Sequence, residues 1–363
     1  MLSRLRHPPK GKAKMDEGTL LREMLEIYSP SGQEGELAAY LTDRMGHLGF
    51  DVSRDSVGNV IGTLGDGPRE LMLLGHMDTV EGWIPVRLED GRLYGRGAVD
   101  AKGPLAAFIV AAARVGPLPG LRVRVVGAVE EEASSRGARA LLERFAPDAV
   151  VIGEPSGWAH VTIAYKGSLS VTYRLRAPRC HSAACIPSVA ERAVAFWNAV
   201  TDYARQHNNG EQYRFHTLDP SLRQIVTRDD GLEEEVEMRL TLRLPPGVDP
   251  ATLRAQMESW ADGAVLQFGP VDPPYQAEKS SPLARLFLQA IRAQGGAPSF
   301  KRKTGTSDMN VVGPVWKCPI VAYGPGDSAL DHTPNEHLDL EEFHSAIRVL
   351  EDVIRGTAGL RNP

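Results

Sequence analysis

The chain has 363 residues, 42% apolar and 24% charged, with a net charge of -5; that length exceeds one small core and predicts two domains, one inserted in the other. The acidic balance leaves no basic stripe for nucleic acid, and no apolar run approaches the ~20 residues that cross a membrane. Three cysteines, Cys180, Cys185 and Cys318, are too few and too odd in number for a disulfide framework, which suits a reducing cytoplasm.

The first fourteen residues, MLSRLRHPPKGKAK, are basic and lack the apolar segment of a secretory signal. Residues 1–14 are expected to be a disordered tail, or to precede a true start at Met15; the alternative is an arm for nucleic acid or a carrier. From Met15 onward, Leu20, Leu21, Met24, Leu25 and Ile27 recur at helical spacing and stop at Ser29-Pro30-Ser31-Gly32. Ser31 is placed to cap a second helix through Leu37, Leu41 and Leu48. Three apolar runs follow, each ending in polar groups: 71–74 at Gly75-His76-Met77-Asp78, 123–129 at Glu130-Glu131-Glu132, and 149–152 at Gly153-Glu154-Pro155. Between them Pro104 is suited to open a helix over 105–115. Apolar runs alternating with helical stretches predict an α/β domain around a largely parallel sheet.

The texture changes near Tyr165-Lys166-Gly167. Residues 168–175 alternate as a half-exposed strand, 188–206 read as a helix, and two strand-like runs end at Leu244. A helix over 250–261 and a strand from Val265 complete a β-α-β-β-α-β order, that of a ferredoxin-like α+β unit. Residues 270–274 read as a linker. The expected organisation is a catalytic domain of 15–165 and 274–363 with a lid of 166–273.

Open α/β sheets place their sites at the carboxyl ends of their strands. Here those ends carry His76 with Asp78, Glu130 with Glu131, and Glu154, while the glycine-rich loop Gly95-Arg96-Gly97-Ala98-Val99-Asp100 adds a carboxylate. Singly, each has a plain structural explanation: a histidine after a strand is often a turn residue, and an acidic run is often a solvated helix start. Together they form a histidine–carboxylate set without thiolates, suited to catalytic zinc or cobalt, and two such ions activate water and polarise a carbonyl. The competing motifs fail. Gly95-Arg96-Gly97 has Asp100 where a dinucleotide fingerprint needs glycine, which disfavours a nicotinamide oxidoreductase, and there is no G-x-S-x-G, H-E-x-x-H or P-loop. Cys180-His181 with Cys185 lacks a second zinc-finger pair, so the cysteines are expected to be packing residues.

Gly75-His76-Met77-Asp78-Thr79-Val80, Gly95 through Gly103 and Glu130-Glu131-Glu132 together resemble the aminoacylase-like dizinc peptidase family. That family includes acetylornithine deacetylase, succinyl-diaminopimelate desuccinylase and relatives of carboxypeptidase, and the likeness runs from Met15 onward. The resemblance implies two divalent metal ions, zinc or alternatively cobalt, bridged by Asp100. His76 and Glu154 would complete one site, Glu131 and His332 the other. Glu130 would be the general base and Asp78 would orient His76. His181 on the lid would donate to the oxyanion, often across a homodimer, while Arg243, Lys303, Thr306 and Ser307 would contact substrate. A cis peptide is implied between Asp100 and Ala101.

Within the family, Tyr28-Ser29-Pro30-Ser31-Gly32, Gly82-Trp83-Ile84-Pro85, 153–158 and 303–310 most resemble one branch. Its members release lysine or ornithine from the terminal glutamate of an acidic amino-group carrier protein in lysine and arginine biosynthesis. Lys301-Arg302-Lys303 suits such a carrier. The alternatives are a small-molecule deacylase acting on N-acyl ornithine or diaminopimelate and a non-catalytic metal scaffold, the latter having no use for a base.

Overall fold

Residues 17–359 are described by a computed structural model; segment 1–14 and Met15 lie outside them. At the centre of the larger sheet is Arg69–His76, a nearly continuous apolar run buried on both faces. It runs parallel to Leu121–Ala128 on one side and to Ala149–Gly153 on the other. Ile320–Tyr323 pairs in parallel with Ala149–Gly153 and separates it from His160–Tyr165. The carboxyl ends of these four central strands therefore open on one edge.

Around these four parallel strands the sheet takes on antiparallel neighbours and so is mixed. Asp51–Arg54 and Val60–Leu64 form a hairpin that joins antiparallel. His160–Tyr165 follows Ala149–Gly153 after only residues 154–159, too short for the crossover a parallel return requires, and it runs antiparallel to Ile320–Tyr323.

The helix Lys102–Val115 is apolar nearly all round and buried from Lys102 to Ala112. It starts before the expected 105–115, so Pro104 falls in the first turn, where its missing N–H costs nothing. A Cβ on Gly153 would stand 2.9 Å from the Phe108 ring, so glycine at that strand end lets the helix settle closely. Leu340–Gly359 packs beside it, burying Phe343, Ala346, Ile347, Leu350, Val353 and Ile354 at helical spacing.

A second, wholly antiparallel sheet has the order Asp219–Asp229, Glu233–Leu244, Gly167–Pro178, Val265–Asp272. The helices Val189–His207 and Pro250–Ser259 pack on it, completing the β-α-β-β-α-β order. Its separate core includes Leu169, Val171, Tyr173, Phe196, Met238 and Leu240. Ser188 and Glu191 form a capping box and Asp249 caps ahead of Pro250, so both helix starts are written in local sequence. The chain passes between the two sheets at Lys166 and again at Pro273. Cys180 and Cys185 are exposed and unpaired, not packing residues, because both lie on the surface loop after Pro178. No helix of the described residues is long and apolar enough to cross a membrane.

Candidate metal centre

Four strand ends and one loop converge at the open edge of the larger sheet. His76, Asp100 and Glu154 bring one ligand atom each within 4.8 Å of one another, and so do Asp100, Glu132 and His332. Asp100 is common to both groups. Its Oδ1 lies 3.3 Å from His76 Nε2 and its Oδ2 lies 3.3 Å from His332 Nε2, so the two oxygens face opposite ways. The Asp100–Ala101 peptide is cis.

The second group contains Glu132, whereas Glu131 was expected there, and Glu130 faces elsewhere. Glu130 sits in the left-handed region at φ 56°, and the turn it makes directs its carboxylate to Arg136 at 2.8 Å and to the Ser134 hydroxyl. The following amides then point at Asp78: the N–H of Glu131 donates to its Oδ1 and the N–H of Glu132 to its Oδ2, each at 3.0 Å. The acidic run is thereby advanced by one residue. Glu132 Oε1 comes within 2.9 Å of His332 Nε2, while Glu131, 4.0 Å from His76 Nε2, lines the adjoining cavity.

Asp78, fully buried, does more than was expected of it. Its carbonyl accepts from Nδ1–H of His76 at 3.0 Å, leaving Nε2 free to act as a ligand, and its carboxylate also takes the Ser31 hydroxyl at 2.7 Å. A second buried carboxylate escaped the sequence reading. Glu336 Oε1 accepts from the backbone N–H groups of Val99 and Asp100, and its Oε2 pairs with Arg96 at 2.8 Å, with both side chains nearly inaccessible. Arg96 in turn donates to the Gly82 carbonyl. Glu336 thus holds the loop that presents Asp100. The motif around His332 gave no sign of this, because the pairing spans more than 230 residues.

The donor set fits divalent cations. Burial pushes the carboxyls of Glu131, Glu132 and Glu154 above the ordinary carboxylate range, and that of Asp331 up to about 8. Asp100 moves the other way: burial alone would raise it, but His332 and His76 hold it down. Hydrogen bonds to Asp100 and Glu132 lift His332 to about 10. So many acids around two imidazoles form a cluster short of positive charge, with nitrogen and oxygen donors only.

A cavity of about 710 Å³ adjoins the cluster. Arg243, Lys303, Thr306 and Ser307 line it, along with Ser168, Asp272 and Asp331. Arg243 reaches over from the smaller sheet to donate to Thr306 Oγ1 at 3.0 Å. The Ser307 hydroxyl is engaged in capping the helix Asp308–Trp316. His181 is not brought into this cavity; it is exposed and caps its own short turn, accepting from the N–H of Ala183.

A model of peptidase family M20/M25/M40 matches residues 72–356, and the chain belongs to that family. A LysW-lysine hydrolase of Deinococcus radiodurans is 43% identical over 94% of this chain and 96% of its own length. A LysW-lysine/LysW-ornithine hydrolase of Saccharolobus islandicus is 28% identical over 93% of this chain and 94% of its own. Among solved structures, the M20 family metallo-carboxypeptidase Sso-CP2 of Sulfolobus solfataricus superposes with a TM-score of 0.79 at 17% identity, covering 95% of this chain and 100% of that one.

Proposed function

We propose that the chain is a metal-dependent amide hydrolase that releases lysine or ornithine from the terminal glutamate of an acidic amino-group carrier protein of the LysW kind. The observation that carries the chemistry is the pair of donor groups sharing Asp100 beside a cavity lined by Glu131. The 43% identity to a LysW-lysine hydrolase over nearly the whole of both chains supports the substrate.

Two divalent cations, zinc or alternatively cobalt, would be held by Asp100 in common, with His76 and Glu154 supplying the other donors of one site and Glu132 and His332 those of the other. Such a pair, when bound, lowers the pKa of water and polarises a carbonyl. Glu131 removes the proton from the attacking water and returns it to the departing amine. Asp78 fixes the backbone of the Glu131-Glu132 pair and the tautomer of His76. Arg243 and Thr306 receive the carboxylate of the departing amino acid, with Lys303 nearby on the cavity wall and Ser307 shaping the loop. His181, exposed in its own protomer, serves the oxyanion of a second copy, so the working form is a homodimer built through the 166–273 unit. The setting is the cytoplasm.

The test is enzyme reconstituted with zinc or cobalt and assayed against carrier-linked lysine, carrier-linked ornithine, acetylornithine and succinyl-diaminopimelate. The carrier-linked amides should give the highest kcat/KM. Better turnover of either small amide overturns the substrate, and bound metal short of two ions per chain overturns the centre.

A further inference from the structure

We infer that Asn310 is a positioning residue that sets the smaller sheet against the substrate loop, and through it the placement of Arg243. Asn310 is buried, and its side chain makes three of the four hydrogen bonds open to it, including both that its N–H groups can donate. Its Oδ1 accepts from the N–H of Ser307 at 2.9 Å. Its Nδ2 donates to the Lys166 carbonyl at 3.0 Å and to the Pro273 carbonyl at 2.8 Å. Those carbonyls belong to the two passages of the chain between the sheets, so one amide grips both connections and the loop end at Ser307. The backbone N–H of Lys166 also donates to the Lys303 carbonyl at 3.2 Å, tying the first passage to Ser299–Lys303, the strand that enters the loop.

The effect on the cavity follows from strand register. Ser168, two residues beyond Lys166, lies opposite Arg243 on one side and opposite Asp272 on the other. These three residues form one row across the sheet, and all of them line the cavity. Fixing Lys166 and Pro273 therefore fixes the row, and with it the reach of Arg243 to Thr306. Arg139 pairs with Asp272 at 2.6 Å at the other end of the row, but as a partly exposed pair they hold it weakly.

The functional part rests on the reading of Arg243 as a carboxylate contact; the structural part does not. Asn310→Asp keeps the acceptor for Ser307 and removes both donors. With Cys180, Cys185 and Cys318 replaced by serine, spin labels at Asp43→Cys and Leu232→Cys, on the larger and smaller units, report the distance between them. Asn310→Asp should broaden that distribution. It should also raise KM about tenfold or more for an amide whose amine carries a carboxylate, the scale of a lost charge-assisted hydrogen bond. The decarboxylated analogue should show no such rise, and Asn310→Asp should add little to Arg243→Ala. Should Asn310→Asp fail to fold, Asn310→Ala supplies the same readouts. An unchanged distance distribution, or full additivity with Arg243→Ala, overturns the inference. If Arg243→Ala leaves KM unaltered, the substrate reading fails, and the label distances alone decide the role of Asn310.

Discussion

Exchanging the two neighbouring acids Glu130 and Glu131 for their amides tests the proposal that Glu131 is the base. Glutamine keeps the shape of glutamate but cannot take a proton, so Glu131→Gln should lower kcat by at least ~10²-fold, the usual scale of a general base and about 2.7 kcal/mol of barrier. Glu131 stands outside both ligand groups, so bound metal should stay at the wild-type level. The carboxylate of Glu130 pairs with a half-exposed Arg136, an interaction of about 0–1 kcal/mol in stability, and Glu130 stands outside both ligand groups and the cavity lining. Glu130→Gln should therefore leave turnover near wild type. Steady-state rates together with elemental metal analysis of both variants decide the matter. Collapse of turnover in Glu130→Gln with an active Glu131→Gln would refute the one-residue advance read from the turn at Glu130, and metal loss in Glu131→Gln would make that residue a ligand.

Glu132→Ala and Glu154→Ala should each bind one ion fewer than wild type, measured by elemental analysis after dialysis; full occupancy in either removes that residue from the ligand set. Asp78→Asn leaves a single side-chain acceptor for groups that now use two oxygens, so metal affinity should fall ~10–100-fold in a competitive chelator titration; an unchanged affinity counts against that role. Glu336→Gln leaves the Arg96 charge buried without its partner and should cost about 3–5 kcal/mol in denaturant unfolding. An unaltered midpoint would show that the pair carries no such load.

Much of this was legible in the sequence because local patterns encode it. The runs before His76, Glu131 and Glu154 announced strands whose ends share an edge, and the alternation after Gly167 marked the second sheet. What escaped depends on backbone direction and on distant partners. Three consecutive glutamates look alike until the left-handed turn at Glu130 decides which way each points. Mixed strand directions follow from link lengths, which an apolar pattern does not measure. Glu336 and Asn310 lie in short polar stretches, and their partners at 96–100, 166 and 273 are brought near only by the finished fold.

The position of Ile320–Tyr323 bears on how the chain is made. This short apolar strand lies inside the larger sheet, with Ala149–Gly153 on one side and His160–Tyr165 on the other, and it is synthesised well after both. Until it emerges, Ala149–Gly153 offers the ribosome-bound chain an unpaired apolar edge, the kind of surface that recruits stray strands and chaperones. The antiparallel sheet, with a core of its own, is by then already synthesised. Insertion of the late strand seals that edge, and the same stretch of chain then delivers His332 nine residues further on. A nascent chain halted before residue 320 should be both sticky and unable to complete the Asp100–Glu132–His332 group.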